Sequence, residues 1–240
     1  MTSLLIGLAA PVITQPSLVA VQTAVAQRAS PIPGFSQSLD QIRNLLDRGR
    51  GIEAENVARA LLPRVEAASG PDALEVAEVL DLLGRAVRRS SRVKEEEKRE
   101  LAERAVAIKE KVLGPAHPDL ATSLINLGVH RALAGNPAAA RPLLERALAI
   151  REAAFGPDHP SVAGALQSLG GLLMTLHDDA GAMALLDRAQ QIRETVYGAG
   201  HADTVRTLVN LAIFHQEVGD YTGAQQRYER SQLRFHCPVR

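Results

Sequence analysis

Tryptophan is absent from this 240-residue sequence, cysteine occurs once, and aromatic residues make up only 3%. Each shortage closes off a class of explanation. A single thiol, Cys237, cannot form an internal disulfide or a structural zinc site, so the fold must stand on side-chain packing. Four Phe and three Tyr are too few for a stacking platform along a nucleic-acid strand. Nor is there an excess of one charge: 27 Lys and Arg balance 27 Asp and Glu, leaving no net field toward nucleic acid or an acidic membrane. No nucleic-acid partner is expected. A hydrophobic share of 46% supplied without aromatics comes mainly from Ala, Leu and Val, a composition suited to packed helices.

Charge is missing altogether from residues 1 to 27, the first charged side chain being Arg28. Within that stretch Leu4 to Ile13 is apolar, and Ala24-Val25-Ala26 before Gln27 has the small-x-small form of a signal-peptidase site. Residues 1 to 26 therefore read as a signal peptide or a disordered leader. The first option places the protein outside the cytoplasm, in a periplasm or secreted; the second leaves it cytoplasmic. Pro11 interrupts the apolar run, which is too short to span a bilayer, so no stable membrane insertion is expected. Residues 27 to 37, rich in Pro, Gly and Ser, read as a linker, and 237 to 240 as a tail in which Cys237 is inert.

The rest of the chain repeats itself. Arg104 to Glu145, Arg146 to Asp187 and Arg188 to Glu229 align without gaps, a period of 42 residues. RAVAIKEKVLGPAHPD, RALAIREAAFGPDHPS and RAQQIRETVYGAGHAD share one register, so Gly114, Gly156 and Gly198 coincide, as do His117, His159 and His201. An upstream copy begins at Gly70 and carries two extra residues before Gly114. Each unit reads as two antiparallel helices. In the clearest copy Pro160 takes the first turn, the first helix runs to about Leu176, the second covers about Ala180 to Tyr197, and Gly198 ends it in a left-handed cap. Small residues recur where the helices must approach: Gly128, Gly170 and Ala212 on the first helix, Ala140, Ala182 and Ala224 on the second. Leu144, Leu186 and Tyr228 supply the bulk between them. The register makes Gly170 intolerant of a large side chain and places Arg151 on the exposed surface.

This pattern of small, Ala and bulky positions resembles the tetratricopeptide repeat, and the 42-residue period with its GPxHP corner resembles the kinesin light chain branch of that family. The resemblance implies an all-α fold, a right-handed α-solenoid of antiparallel helix pairs over 38–236. Units 38–69 and 70–113 are degenerate, the latter with Lys98 where a small residue is expected; 114–155, 156–197 and 198–236 are clear. Stacked equivalent helices set His117, His159 and His201 in a ladder that cannot converge on one metal ion, so they are expected to build corners. Asp178 and Asp179 fall in a turn, where Asp supplies caps. The charged stretch from Val93 to Arg104 is expected to be a solvated helix face. No phosphate loop, HExxH or GxSxG pattern is present, so neither an enzyme nor a cofactor is expected.

What the family resemblance implies about function is a scaffold for protein–protein interaction, its concave groove lined by the first helices. The groove positions it selects include Arg85, Arg88, Arg89, Thr122, Asn126, Gln167, Ser168, Arg206, Asn210 and Gln216. Asn, Gln and Ser could hydrogen-bond an extended peptide backbone, with Arg at each end of the strip to favour an acidic segment. The competing reading is that Arg85, Arg88 and Arg89 only neutralise the glutamates of the neighbouring charged helix. Two other functions stand beside the scaffold: the repeat portion of a larger or truncated signalling or effector protein, and a structural homo-oligomer joined through an uncapped C-terminal end.

Overall fold

The computed structural model describes residues 32–88 and 90–232, so the leader and Cys237 lie outside the described residues, as does Arg89. Ten helices and no strand are present among the described residues. They are α1 (Phe35–Asp47), α2 (Gly51–Ser69), α3 (Leu74–Val87), α4 (Glu95–Leu113), α5 (Pro118–Leu133), α6 (Pro137–Phe155), α7 (Pro160–Thr175), α8 (Asp179–Tyr197), α9 (Ala202–Glu217) and α10 (Tyr221–Gln232). Each helix packs on the next in the chain, giving an all-α solenoid of antiparallel pairs. None of these helices is long and apolar enough to cross a membrane.

The corners follow directly from the repeated residues. His117, His159 and His201 are the N-caps of α5, α7 and α9, and each Nδ1 accepts the backbone N–H two residues on, at 3.1–3.2 Å. Pro118 and Pro160 occupy the first turn, where a missing N–H costs nothing. Stacking of His159 on Phe155 and of His201 on Tyr197, at centroid distances of 4.7 and 4.6 Å, ties each cap to the preceding helix. Asp178 caps α8 through the Gly181 N–H at 3.0 Å. The glycines differ from expectation. Gly198 has φ 82° and ψ 162°, an extended mirror-image conformation and not the left-handed helical one, and Gly114 and Gly156 match it. The two residues after each of these glycines form the turn.

His177, between α7 and α8, is the one non-glycine residue among those described with a positive φ, 59°. The position one repeat before it is Gly135 and one repeat after it is Gly219, both at φ near 80°. A side chain held there costs on the order of 1 kcal/mol. His177→Gly is therefore expected to raise the thermal midpoint slightly, a gain readable by circular dichroism; a lower midpoint would mean the imidazole makes a compensating contact.

Close approach within pairs occurs where the small residues predict it. A Cβ added at Gly128 would lie 2.8 Å from Leu144 Cγ, and one at Gly170 would lie 2.9 Å from Leu186 Cγ. At Gly84 nothing lies within 4 Å. The upstream unit has Lys98 where Ala140 and Ala182 stand in the later ones, and Ala102 in place of Leu144, so the filling side chain is lost. Lys98 is buried along its stem and reaches Glu95 at 2.6 Å. The space left over forms a small pocket bounded by Gly84, Lys98, Ala102 and His130.

Between pairs the two layers behave differently. First helices α1, α3, α5 and α7 touch in succession, whereas the backbones of consecutive second helices stand farther apart among the described residues. The more closely spaced layer is the inner one, so the first helices form the concave face. The second helices are joined by side chains in register: Arg104–Glu66, Arg146–Glu110, Arg188–Glu152 and Arg230–Glu194, all at 2.6–2.7 Å. Arg104, Arg146 and Arg188 also donate to the carbonyls of Pro71, Pro115 and Pro157.

Candidate functional site

The concave face holds a cleft of about 240 Å³ built from α1, α3, α4 and α5. Arg43, Glu78, Asp81, Arg85, Lys109 and Thr122 are among its lining residues. Two of the expected groove residues, Arg85 and Thr122, are thus brought together. Arg88 and Asn126 border the smaller pocket beside it. Burial pushes the Glu78 carboxyl up, against the pull of Lys109 and Arg43.

Below the surface of the cleft is a buried ion pair. Lys109 Nζ lies 2.6 Å from Asp81 Oδ2, and both side chains are 7% exposed. Ser123 Oγ donates to the same oxygen at 2.7 Å, Asn126 Nδ2 donates to Oδ1 at 3.0 Å, and the Lys109 ammonium also reaches the Asp119 carbonyl at 3.2 Å. The carboxylate accepts three hydrogen bonds and has its charge matched, the condition under which a buried pair is tolerated.

Lys109 is the first member of a series. One repeat on is Arg151, and one further is Arg193, each on a second helix and each threading between two first helices. Arg151 donates through Nη1 to the Ser161 carbonyl at 2.7 Å and through Nη2 to Thr122 Oγ1 at 3.2 Å, joining α5 to α7. Arg193 donates to Gln167 Oε1 at 2.9 Å and to Thr207 Oγ1, joining α7 to α9. Desolvation depresses both guanidinium pKa values, and for Arg193 the like charge of Arg206 adds to the depression. Arg151 is therefore half-buried and hydrogen-bonded, not the exposed residue that the repeat register suggested.

These cations change the reading of the polar strip. The Asn126 amide donates to Asp81, Gln167 accepts from Arg193, Thr122 accepts from Arg151, and Ser168 Oγ donates to the Gly164 carbonyl of its own helix. Groups expected to grip a peptide backbone are engaged within the protein. Gln216 accepts from Tyr228 of α10 at 3.2 Å, and Arg206 is paired with Asp203 at 2.6 Å. Asn210 is exposed. Arg85 is exposed and in no ion pair among the described residues, while Glu97, Glu95 and Glu103 of α4 pair with Arg59, Lys98 and Arg131. No group of His, Cys, Asp or Glu fit to hold a metal ion occurs among the described residues.

The sequence missed Lys109, Arg151 and Arg193, although a signal was present. In AIKEK, AIREA and QIRET a basic residue follows the buried isoleucine in all three copies.

Residues 96–153, 126–189 and 161–232 match the sequence model of the tetratricopeptide repeat family, together more than half of the chain. Among solved structures, BtubC (BKLC) from P. vanneervenii is 22% identical over 93% of this chain and 91% of its own, with a TM-score of 0.64. A kinesin light chain protein of Podospora anserina with nearly identical TPR-like repeats is 21% identical over 84% of this chain and 94% of its own, with a TM-score of 0.61. PlcR of Bacillus thuringiensis, solved with the peptide PapR7 and DNA, is 13% identical over 90% of this chain and 74% of its own, with a TM-score of 0.72. At these identities the likeness is one of fold. Among curated protein sequences no relative matches.

Proposed function

The chain belongs to the tetratricopeptide repeat family, and from that premise we propose that its concave face binds an extended, acidic segment of a protein partner. The observation that carries this reading is Arg85, an exposed cation on the wall of a 240 Å³ cleft that is in no ion pair among the described residues. PlcR, of the same fold, was solved with a peptide, which supports a peptide as the class of ligand. A cation on a binding rim contributes to encounter rate and salt sensitivity as well as to affinity.

The test uses the full chain as bait to capture a partner, then compares parent and Arg85→Glu. Reversal of charge is expected to weaken the captured partner about tenfold or more at low salt, with helix content unchanged. Equal binding of the two forms at low salt would place the binding surface elsewhere.

A further inference from the structure

The junction between the α3–α4 pair and α5 differs in kind from the two that follow it. At the later junctions three apolar positions close on one another: Ala140, Leu144 and Leu172, then Ala182, Leu186 and Phe214. The corresponding residues here are Lys98, Ala102 and His130. Two basic side chains thus stand where the repeat otherwise places hydrocarbon, and each is only 7% exposed. Helix packing alone would be better served by apolar residues, because a cation taken out of water is costly to the folded chain.

The exchange also leaves room. With Ala102 in place of a leucine, an added Cβ at Gly84 would meet nothing within 4 Å. The void bounded by Gly84, Lys98, Ala102 and His130, with Arg85 and Arg88 beside them, measures about 10 Å³, space for one body the size of water. Its wall is basic. Lys98 reaches Glu95 at 2.6 Å, but that carboxylate lies at the solvent rim, 57% exposed. Asp81, held nearby through Asn126, already has its charge matched by Lys109. Burial holds the His130 pKa below its ordinary value; Lys98 and Arg131 depress it further, and Glu95 and Glu103 pull it up.

We propose that this void is a chloride site, in which one halide ion sits between the Lys98 ammonium and the His130 imidazole and joins α4 to α5. Size selects the ligand. A carboxylate or phosphate group is too large for the void, whereas a halide is little larger than the water the void admits, and the flexible Lys98 stem can yield to it. The ion matches the buried ammonium from the inside, where Glu95 does not reach, and so fastens the degenerate unit to the regular ones. The site does not depend on peptide binding in the groove.

Thermal midpoints of the full chain are compared in sodium chloride, sodium bromide and sodium gluconate at equal ionic strength, so that screening is the same and only the fit of the anion differs. Three forms are used: the parent, Lys98→Met, and the triple variant Lys98→Ala, Ala102→Leu, His130→Leu, which rebuilds the junction as it stands one repeat later. In the parent, each further tenfold of chloride or bromide above the dissociation constant is expected to raise the midpoint by roughly 3 °C relative to gluconate, and chloride should raise the pKa of the His130 ring followed by NMR. Both variants should lose the halide increment, and the triple variant in gluconate should melt at or above the parent, since apolar packing replaces the buried cations. Equal parent midpoints in chloride and gluconate overturn the site and assign the void to water. A halide increment of the same size in the triple variant, or in Lys98→Met should the triple variant fail to fold, also overturns it, because the ion then acts elsewhere on the surface.

Discussion

Lys109→Met is expected to destabilise the protein by about 3–5 kcal/mol, because it leaves the Asp81 carboxylate buried with no counter-charge. Ser123 and Asn126 continue to donate to that carboxylate, but neutral donors replace only part of what the ammonium supplies. The diagnostic is the double variant. Asp81→Asn removes the charge while preserving an acceptor for its neighbours, so Asp81→Asn with Lys109→Met should be more stable than Lys109→Met alone. Denaturant midpoints of the four forms complete the cycle. Additive losses would show that the pair does not act as a unit.

The second large effect separates two adjacent glycines of α7. At Gly170 even a methyl group would meet Leu186 Cγ at 2.9 Å and stand 3.4 Å from the Ala182 carbonyl, so Gly170→Leu must push the paired helices apart. The loss is expected at or above the upper end of the usual overpacking range of about 1–3 kcal/mol. Gly171 is exposed and an added Cβ meets nothing within 4 Å, so Gly171→Ala should stabilise by about 0.5–1 kcal/mol through helix propensity. Opposite signs in chemical denaturation are the expected result; losses of similar size at both would refute the register of α7 on α8.

Much of this fold was legible because its determinants are local and recur every 42 residues. His117, His159 and His201 next to their turns, Pro160 at a helix start and the pairing of Gly170 with Leu186 each follow from spacing and the geometry of two helices. Gly198 was read as the end of a helix correctly, but its ψ depends on the direction the next helix takes, which spacing does not encode. The groove was harder. Asn126 and Gln167 are polar residues at groove positions, yet whether a polar residue faces a ligand or an internal partner depends on what arrives from the second helix behind it. Lys109 and Arg193 arrive there, over sequence separations of 28 and 26 residues. Arg151 misled the reading for the same reason: on its own helix it resembles a solvated charge, and only the adjacent Ser161 carbonyl and Thr122 hydroxyl make it an interior group.

The unequal joining of the two layers has a mechanical consequence. Packed side chains on the inside resist both stretching and compression, whereas arginine–glutamate links on the outside are long, rotatable and weakened by dissolved ions. The outer layer then acts as a row of soft springs along a stiff inner hinge. Bending that spreads the back and tightens the groove from α1 to α7 loads those springs, so the radius of curvature there becomes a quantity that a ligand, or the ionic strength, can bias.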